Sequence, residues 1–387
     1  MKKDLRIGYI TTEDPHDRRS WSGIMYHLFE ALKDEFKVVE PLGPLRPQPE
    51  LFIGQASNQL LLRLLGKRFN YRDSFMLSKA YARSLGRRME KKRLDVLVTA
   101  AGLPTIALLN TNLPIVYFND RCLAGALDYH TILSDLTPAS RKEGLAVEER
   151  ALANASLVVY ASHWAADAAR EHYPQHAHKV HVIPMGANLA VDPPEPAERQ
   201  APSDPLKMLF LGVKWKEKGG PIAYEALQVL KSKGRRTKLV VCGCDPPPEC
   251  DDPDLVREGF LNKNLPEHRA RLEEHLRTAD LLILPTRFEA YGIVFCEAAA
   301  YGVPAFATRT GGVPTIVQDG ITGFLFDPQD DGTAYAEKIE ALVSDPSRWR
   351  AMRKAARERY KDTLTWKAFV RTLADQIEAL APRSSSR

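Results

Sequence analysis

Short apolar runs rich in β-branched residues recur along the chain and alternate with longer segments of helical spacing. Nine runs predict strands, at residues 5–10, 94–99, 115–118, 157–160, 180–183, 208–212, 239–242, 281–284 and 305–308. Apolar positions three and four residues apart predict helices between them, for example over 24–36 and 223–233. Because strands alternate with helices, we predict an α/β fold with parallel sheets, and the nearly continuous apolar runs suit sheets covered on both faces.

The alternation is interrupted between residues 191 and 205, where prolines and charged residues follow one another without an apolar period. Such a segment is typical of a linker. Strand, glycine-bearing turn and helix begin at Ile7 and begin again at Leu209. We therefore predict an N-terminal domain over 1–190, a linker over 191–205, a C-terminal domain over 206–365, and a final helical segment over 366–387 that could pack back on the first domain.

Composition excludes several classes of protein. Hydrophobic residues make up 44% and charged residues 27%, which excludes disordered, collagen-like and coiled-coil chains. No apolar stretch approaches the about 18 residues of a membrane-spanning helix, and Glu13 and Asp14 interrupt the first apolar run before a signal peptide could form. The five cysteines are an odd, clustered set, unlike a secreted disulfide framework. We expect a cytoplasmic protein.

Positive charge is concentrated in one segment. Eleven basic residues lie between Arg63 and Arg93 against two acidic ones, although the net charge of the whole chain is only +5. A leucine-rich run over 60–65 begins this segment. Two interpretations stay open: a solvated basic face, or peripheral contact of residues 60–93 with an anionic membrane surface. No nucleic-acid recognition motif accompanies the charge, so we expect no nucleic-acid partner.

The segment over 286–304 is the most informative about chemistry. Gly292 follows the predicted strand 281–284 and marks the start of a helix, and Gly302 marks its end. The first N–H groups of a helix have no internal partner and carry the positive end of its dipole. The amides at Gly292 and Ile293 therefore form a candidate phosphate site, which a glycine leaves open to a ligand.

Two carboxylates flank this candidate site. Glu289 precedes the helix, and Glu297 is the only charged residue between positions 292 and 307. A carboxylate in such an apolar helix is costly to bury unless it accepts hydrogen bonds. The vicinal hydroxyls of a ribose would provide them. Pairing with an arginine or lysine elsewhere, or a position facing solvent, are the alternatives.

Glu289 and Glu297 are separated by seven residues, and the sequence Ala-Ala-Ala-Tyr-Gly-Val-Pro follows the second glutamate. This segment resembles the Glu-x7-Glu signature of the retaining glycosyltransferases of family 4, which have the GT-B fold. Six other segments resemble the family in the same order: Trp21-Ser-Gly, Ser162-His-Trp, Ile183-Pro-Met-Gly-Ala-Asn, Gly212-Val-Lys-Trp-Lys-Glu-Lys-Gly-Gly, Thr310-Gly-Gly-Val-Pro and Asp319-Gly-Ile-Thr-Gly-Phe-Leu-Phe. The resemblance extends over about residues 5–380.

The resemblance implies two Rossmann-like domains that face each other across a cleft, with a nucleotide-diphosphate sugar held mainly by the C-terminal domain. By position, Glu297 would bind the ribose hydroxyls and Glu289 the hydroxyls of the donor sugar. The backbone at Gly292 and Ile293 would hold the distal phosphate. Lys218 would neutralise the diphosphate.

Several positions depart from the family pattern. Asp120 stands where a histidine usually lies near the transferred sugar, and Ser22 and Gly23 replace the commoner glycine pair that contacts phosphate or acceptor. Val213 replaces an arginine that often accompanies the phosphate lysine, and Thr315 replaces a common glutamate. Lys214 or Lys216 could supply the missing positive charge.

The resemblance implies a function as well as a fold. The expected reaction is transfer of a sugar, with retained anomeric configuration and without a metal or other cofactor, to a glycan, a lipid-linked molecule or a small hydroxyl acceptor. The expected setting is cell-envelope or exopolysaccharide assembly at the inner face of the membrane. A sugar-nucleotide epimerase of the same architecture and a non-catalytic nucleotide-sugar-binding module are the alternatives.

Overall fold

The computed structural model describes residues 2–129 and 131–380 of the chain. They form two units, one of residues 2–184 with 366–380 and one of residues 185–365. Each unit contains a parallel six-stranded sheet with helices packed against it, which confirms the predicted α/β fold with two Rossmann-like units. Positions 381–387 of the predicted final segment lie outside the described residues.

The strands are β1 (Lys3–Ile10), β2 (Phe36–Pro41), β3 (Val96–Ala100), β4 (Ile115–Asn119), β5 (Leu157–Tyr160), β6 (Val180–Val182), β7 (Leu206–Leu211), β8 (Thr237–Cys242), β9 (Leu255–Gly259), β10 (Leu281–Leu284), β11 (Ala305–Thr308) and β12 (Gly323–Phe326). The helices are α1 (Ile24–Glu35), α2 (Gln48–Leu65), α3 (Phe75–Met89), α4 (Leu103–Ala107), α5 (Leu123–Ala126), α6 (Pro138–Asn154), α7 (His163–His172), α8 (Gly220–Ser232), α9 (Pro266–Thr278), α10 (Ile293–Ala300), α11 (Val313–Ile316), α12 (Gly332–Val343), α13 (Pro346–Thr363) and α14 (Trp366–Leu380). Short 3-10 helices lie at Ser20–Gly23, Tyr71–Asp73, Thr131–Leu133 and Pro174–Lys179.

The first sheet has the strand order β2-β1-β3-β4-β5-β6, and the second has the order β12-β11-β10-β7-β8-β9. The central strands β3, β4, β5 and β10 are buried along their whole length because helices cover both faces of each sheet. In each sheet the strands that follow the first strand in the chain lie on one side of it, and the later strands lie on the other side. The direction of winding therefore reverses beside the first strand, between β1 and β3 and between β7 and β10. Ligands of open α/β sheets bind at the carboxyl ends of the strands at such a reversal.

The segment over 191–205, predicted as a linker, lies along the second unit. Arg357 donates a hydrogen bond from Nη2 to the carbonyl oxygen of Pro193 at 2.8 Å, and Arg199 pairs with the buried carboxylate of Asp280. The final helix α14 packs in the first unit, where the rings of Phe369 and Phe118 meet with centroids 4.8 Å apart. Residues 364–365 separate α14 from α13, so the helical segment near the end of the chain consists of two helices.

No helix in the described part of the chain combines the length and the apolar character needed to cross a bilayer.

Candidate active site

Two loops meet where the second sheet reverses its winding. Strands β7 and β10 are parallel neighbours, with Leu209 beside Leu282, and each is followed by a loop at its carboxyl end. The N–H of Arg287 in the second loop donates to the carbonyl oxygen of Glu217 in the first at 2.9 Å. A Cβ on Gly219 would lie 1.9 Å from the carbonyl oxygen of Pro285, so this close approach of the loops requires glycine.

An ion pair joins these loops. Nζ of Lys218 lies 2.6 Å from Oε2 of Glu289, and the two side chains are only 20% and 16% exposed. Partial burial strengthens the attraction between the two charges, because water screens it less than at a fully exposed site. The structure thus brings together two of the residues singled out in the sequence.

The amino terminus of α10 lies directly after Glu289. Gly292 has φ +99° and precedes the first residue of the helix, and no side chain within the described residues caps it. A Cβ at this position would lie 2.6 Å from the ring of Phe295 and 3.1 Å from Cγ of Glu289. Both the positive φ and the lack of space require glycine, and within residues 2–129 and 131–380 no side-chain cap covers the start of α10, where the amides of Ile293 and Val294 lie.

Glu297 lies in the middle of α10 and is 1% exposed. Its Oε1 accepts from Nζ of Lys263 at 2.5 Å. Of the alternatives that the sequence left open, the structure contains the pairing with a lysine. The sequence pattern did not reveal Lys263, because this residue follows β9, a strand that the apolar pattern also failed to predict.

Ser22 and Gly23 lie after β1, where the first sheet reverses its winding. Trp21, Ser22 and Gly23 have φ values of +47°, +58° and +94°, three successive residues in the left-handed region. The turn is held by Ser20, whose Oγ donates to the carbonyl oxygen of Asp14 at 2.8 Å. Non-glycine residues in this region carry strain and cluster at functional sites, so the turn is a candidate site.

Asp120 directly follows β4. Its N–H donates to Oδ1 of Asn119 at 2.9 Å, and Nδ2 of Asn119 donates to the hydroxyl oxygen of Tyr117 at 2.6 Å. Asp120 and the turn at Ser22 and Gly23 belong to the first unit, whereas the two ion-paired glutamates belong to the second.

A buried carboxylate that the sequence pattern did not reveal supports the loop after Asp120. Glu148 in α6 is fully buried, and its Oε1 accepts from the N–H of Leu123 at 2.6 Å. Its Oε2 accepts from the N–H of Ala124 and the hydroxyl of Tyr173, both at 2.9 Å. Burial raises the pKa of Glu148 above its ordinary value, although the hydrogen bonds oppose the shift. Glu148 thus fixes the start of α5, three residues beyond Asp120.

The structure shows the surroundings of the residues that depart from the family pattern. Val213 is exposed, and Thr315 is buried with its carbonyl oxygen accepting from Arg359 at 2.9 Å. Lys214, which could have replaced the missing arginine, pairs instead with Glu217 at 2.8 Å.

The cysteines of the second unit are free thiols. Burial raises the pKa of Cys242 to about 12 and that of Cys244 to about 11, so neither is a thiolate at neutral pH, the form that binds metals. Within the described ranges, no three His, Cys, Asp or Glu side chains are grouped closely enough to hold a metal ion.

Two family descriptions match consecutive parts of the chain. "Glycosyltransferase Family 4" matches residues 27–191, and "Glycosyl transferases group 1" matches residues 192–359. The chain belongs to glycosyltransferase family 4. Together the two matches extend over most of the sequence, including every candidate site residue of the second unit.

Curated relatives of this family 4 chain include the D-inositol 3-phosphate glycosyltransferase of Nocardiopsis dassonvillei, 30% identical over 239 residues, which are 56% of this chain and 54% of that protein. The sucrose synthase of Thermosynechococcus vestitus is 38% identical over 90 residues, 22% of this chain and 11% of that protein. The chain therefore spans about half the length of the first relative and a small part of the second.

Solved structures resemble the family 4 chain over nearly its whole length. The sucrose-phosphate synthase of Thermosynechococcus elongatus superimposes with a TM-score of 0.67 at 20% identity, over 98% of this chain and 99% of that one. Anabaena HepE, in complex with UDP and glucose, superimposes with a TM-score of 0.61 at 14% identity, over 97% and 100%. At such low identity these likenesses establish the GT-B fold alone.

Proposed function

We propose that this family 4 chain is a retaining glycosyltransferase that moves a sugar from a nucleotide-diphosphate sugar to a hydroxyl acceptor. The observation that carries the proposal is the ion pair of Lys218 and Glu289 beside the uncapped amino terminus of α10. A cation and free amides suit a diphosphate, and a carboxylate suits sugar hydroxyls. All three lie where the second sheet reverses its winding, the place where such sheets bind ligands.

We assign one contact with the nucleotide sugar to each residue of the proposed donor site. Lys218 neutralises the diphosphate, and the amides at Gly292 and Ile293 bind its distal phosphate. Glu289 accepts from hydroxyls of the donor sugar, and Glu297 accepts from those of the ribose. A carboxylate has about four lone-pair sites, so Glu297 can keep Lys263 on Oε1 and still accept from a diol.

The proposed chemistry is displacement on one face of the sugar. The bond from the anomeric carbon to the diphosphate breaks as the acceptor oxygen attacks from the same side, and the departing phosphate takes the acceptor proton. The protein acts by positioning the reactants and stabilising the negative charge that develops on the leaving group. In the first unit, Asp120 accepts from a hydroxyl of the transferred sugar, and Ser22 and Gly23 contact phosphate or acceptor.

The setting belongs to the proposal as well. We propose cell-envelope or exopolysaccharide assembly; one similar structure, the lipopolysaccharide outer core galactosyltransferase WaaB, with a TM-score of 0.62 at 12% identity, carries a name from that setting. A glycan, a lipid-linked molecule or a small hydroxyl compound is the acceptor. We place the enzyme in the cytoplasm at the inner face of the membrane, where the basic residues of 60–93 and the exposed leucines of α2 contact anionic lipid.

Thermal unfolding with UDP, GDP, ADP and their sugars tests the proposal. A ligand at about 100 times its Kd adds about 2.7 kcal/mol to the folded state, so one nucleotide class should raise the Tm clearly. Lys218→Ala and Glu297→Ala should abolish the rise, whereas Lys233→Ala, which alters an exposed lysine of the same unit that pairs with Glu337, should keep it. A rise with none of these nucleotides and nucleotide sugars, or a rise unaffected by both variants, contradicts the proposal.

Incubation of the bound donor without an acceptor separates the alternatives. An epimerase would convert the donor sugar under these conditions. A binding module would hold the nucleotide tightly and release no product with any acceptor. A transferase should consume the donor rapidly only when a suitable hydroxyl compound is added.

A further inference from the structure

The pairing of Glu297 with Lys263 has consequences for how a nucleotide is recognised. Glu297 is 1% exposed, and Nζ of Lys263 lies 2.5 Å from its Oε1. Burying an unpaired carboxylate is strongly unfavourable. A nearby ammonium group offsets this cost and fixes the orientation of the carboxylate by a charge-assisted hydrogen bond.

The loop that carries Lys263 is held in place by the helix that follows it. The carbonyl oxygen of Lys263 accepts from Nη1 of Arg269 at 3.0 Å, and the N–H of Asn262 donates to Nδ1 of His268 at 2.9 Å. The N–H of Leu265 donates to the carbonyl oxygen of Asn262 at 2.9 Å. Arg269 and His268 lie in the first turns of α9, so the backbone of Lys263 has a defined position.

We propose that Lys263 is a positioning residue that makes Glu297 an acceptor for the ribose diol, and so sets the preference of the site for ribonucleotides over deoxyribonucleotides. This inference rests on the proposed function, because it assumes that the ribose of the donor lies at Glu297. Lys263 occupies one oxygen of the carboxylate and leaves acceptor capacity on the other. Without the ammonium group, the buried carboxylate would lose the contact that fixes its orientation and would bind the diol poorly.

If Lys263 only stabilised the fold, its removal would change nucleotide affinities in a different way. An ion pair that only holds the β9–α9 loop against α10 would affect all nucleotides alike when it is removed. An ion pair that acts through Glu297 affects only ligands that carry the ribose hydroxyls. The difference between a ribonucleotide and its dideoxy counterpart therefore isolates the proposed role from any change in folding.

The experiment is isothermal titration of UDP, GDP and ADP and their 2′,3′-dideoxy counterparts into the full chain. For the nucleotide that binds best, Lys263→Met should weaken ribonucleotide binding about ten- to a hundredfold, the effect of losing a charge-assisted hydrogen bond. Dideoxynucleotide binding should change less than about twofold, within the scatter of such measurements. Lys263→Arg should restore most of the ribonucleotide affinity.

The control is Lys231→Met. Nζ of Lys231 lies 2.7 Å from Oδ1 of Asp252, whose side chain is 8% exposed, and 2.7 Å from Oδ2 of Asp254, so this variant removes a lysine from ion pairs elsewhere in the same unit. It should leave both nucleotide classes unchanged. Lys263→Gln serves as the second variant if Lys263→Met does not fold.

A double-mutant cycle completes the test. Because Lys263 acts through Glu297, adding Lys263→Met to Glu297→Gln should cause no further loss of ribonucleotide affinity. Equal losses for ribo- and dideoxynucleotides, or no loss for either, would overturn the role of Lys263 while leaving the donor site intact. If the unaltered chain binds none of the six nucleotides, the proposed function itself is wrong, and the inference with it.

Discussion

Nζ of Lys218 lies 2.6 Å from Oε2 of Glu289, although the two residues are 71 positions apart in the chain. Each follows a strand of the second sheet, β7 for Lys218 and β10 for Glu289, and these strands are neighbours. The pair therefore joins the two loops that flank the reversal of winding. Each group neutralises the other, and the proposed function assigns the ammonium group to the diphosphate and the carboxylate to the sugar.

The first prediction concerns this pair. Lys218→Met and Glu289→Gln should each lower the free energy of unfolding by about 1–3 kcal/mol, because each leaves a partly buried charge without its partner. The double variant should lose less than the sum of the two, because no charge remains unpaired. Urea denaturation of the four proteins of the cycle measures this coupling.

Lys214 and Glu217 provide the control cycle. They form an exposed pair at 2.8 Å in the same loop, and exposed pairs contribute about 0–1 kcal/mol. Strictly additive effects of the two Lys218 and Glu289 substitutions, with no more coupling than in the control, would contradict the prediction.

The second prediction concerns Gly292. Gly292→Ala should lower both stability and nucleotide binding, since a Cβ there would meet the ring of Phe295 at 2.6 Å in a backbone conformation with φ +99°. Gly234→Ala is the matched control, because Gly234 also has a positive φ, of +82°, but nothing lies within 4 Å of its added Cβ. A residue other than glycine at a positive φ lowers the free energy of unfolding by about 1 kcal/mol, and Gly234→Ala should lose about this amount.

Gly292→Ala should lose clearly more stability than Gly234→Ala in urea denaturation, and only Gly292→Ala should weaken binding of the nucleotide identified by thermal shift. Equal behaviour of the two variants in both measurements would show that the start of α10 does not approach the ligand.

The interior of the fold could be predicted from the sequence because both faces of the inner strands are buried. Each of the nine predicted strands begins and ends within two residues of its observed bounds. The apolar pattern did not predict β2, β9 and β12, which are all edge strands, and β2 and β9 have polar positions such as Glu40 and Arg257. β2 and β9 are covered less completely than the inner strands, so their sequences lack the continuous apolar run.

The candidate site could be predicted only where its signal is local. Gly292 could be identified because a glycine between a predicted strand and an apolar run marks the start of a helix, and this signal lies within one short segment. Glu297 could be identified because it is the only charged residue of an apolar helix. Which residues pair with the glutamates depends on which strands are neighbours in the sheet and on which loops lie beside each other. The spacing of residues along the chain does not determine these neighbours. Lys263 and Glu148 were therefore missed, since an isolated lysine in a loop and a glutamate in a helix usually face water.

The third prediction concerns Glu148 and pH. Because burial raises the pKa of this carboxyl in the folded state, the folded chain retains a proton that the unfolded chain has lost. The contribution of Glu148 to stability is therefore present below its ordinary pKa of about 4.3 and is lost as pH rises through the raised value. The free energy of unfolding of the unaltered protein minus that of Glu148→Gln should fall as pH rises through this range.

Urea denaturation in steps of pH measures the difference, with Glu149→Gln, an exposed position in the same helix, as the control for loss of a carboxylate. Below the ordinary pKa of the carboxyl, Glu148→Gln should be destabilised by about 1–3 kcal/mol, because the NH2 group of an amide, unlike a carboxyl oxygen, cannot accept from the Leu123 or Ala124 N–H group. A difference that rises with pH would mean that Glu148 is ionised more readily in the folded chain than in the unfolded one.

The fourth prediction concerns the surface of α2 and α3. Phe52, Leu60 and Leu64 in α2 are 72%, 58% and 69% exposed, and their spacing in multiples of four places them along one face. The neighbouring helix α3 exposes Lys79, Arg83 and Arg87 at the same spacing, and Arg83 pairs with Glu50 of α2 at 3.1 Å. An apolar face beside a basic one suits the surface of an anionic bilayer, where apolar side chains enter the interface and cations remain among the headgroups.

Vesicle flotation measures this contact. The chain should bind vesicles that contain phosphatidylserine or phosphatidylglycerol more tightly than neutral vesicles, and salt should weaken the binding. Phe52→Ser, Leu60→Ser and Leu64→Ser combined should reduce binding by at least about a hundredfold, since each buried apolar side chain contributes about 1.5–3 kcal/mol. Ile321→Ser, which alters an exposed apolar residue of the second unit, should have no effect. Binding that depends on neither anionic lipid nor salt, or that survives the triple substitution, would leave the basic segment as a solvated face and remove the membrane from the proposal.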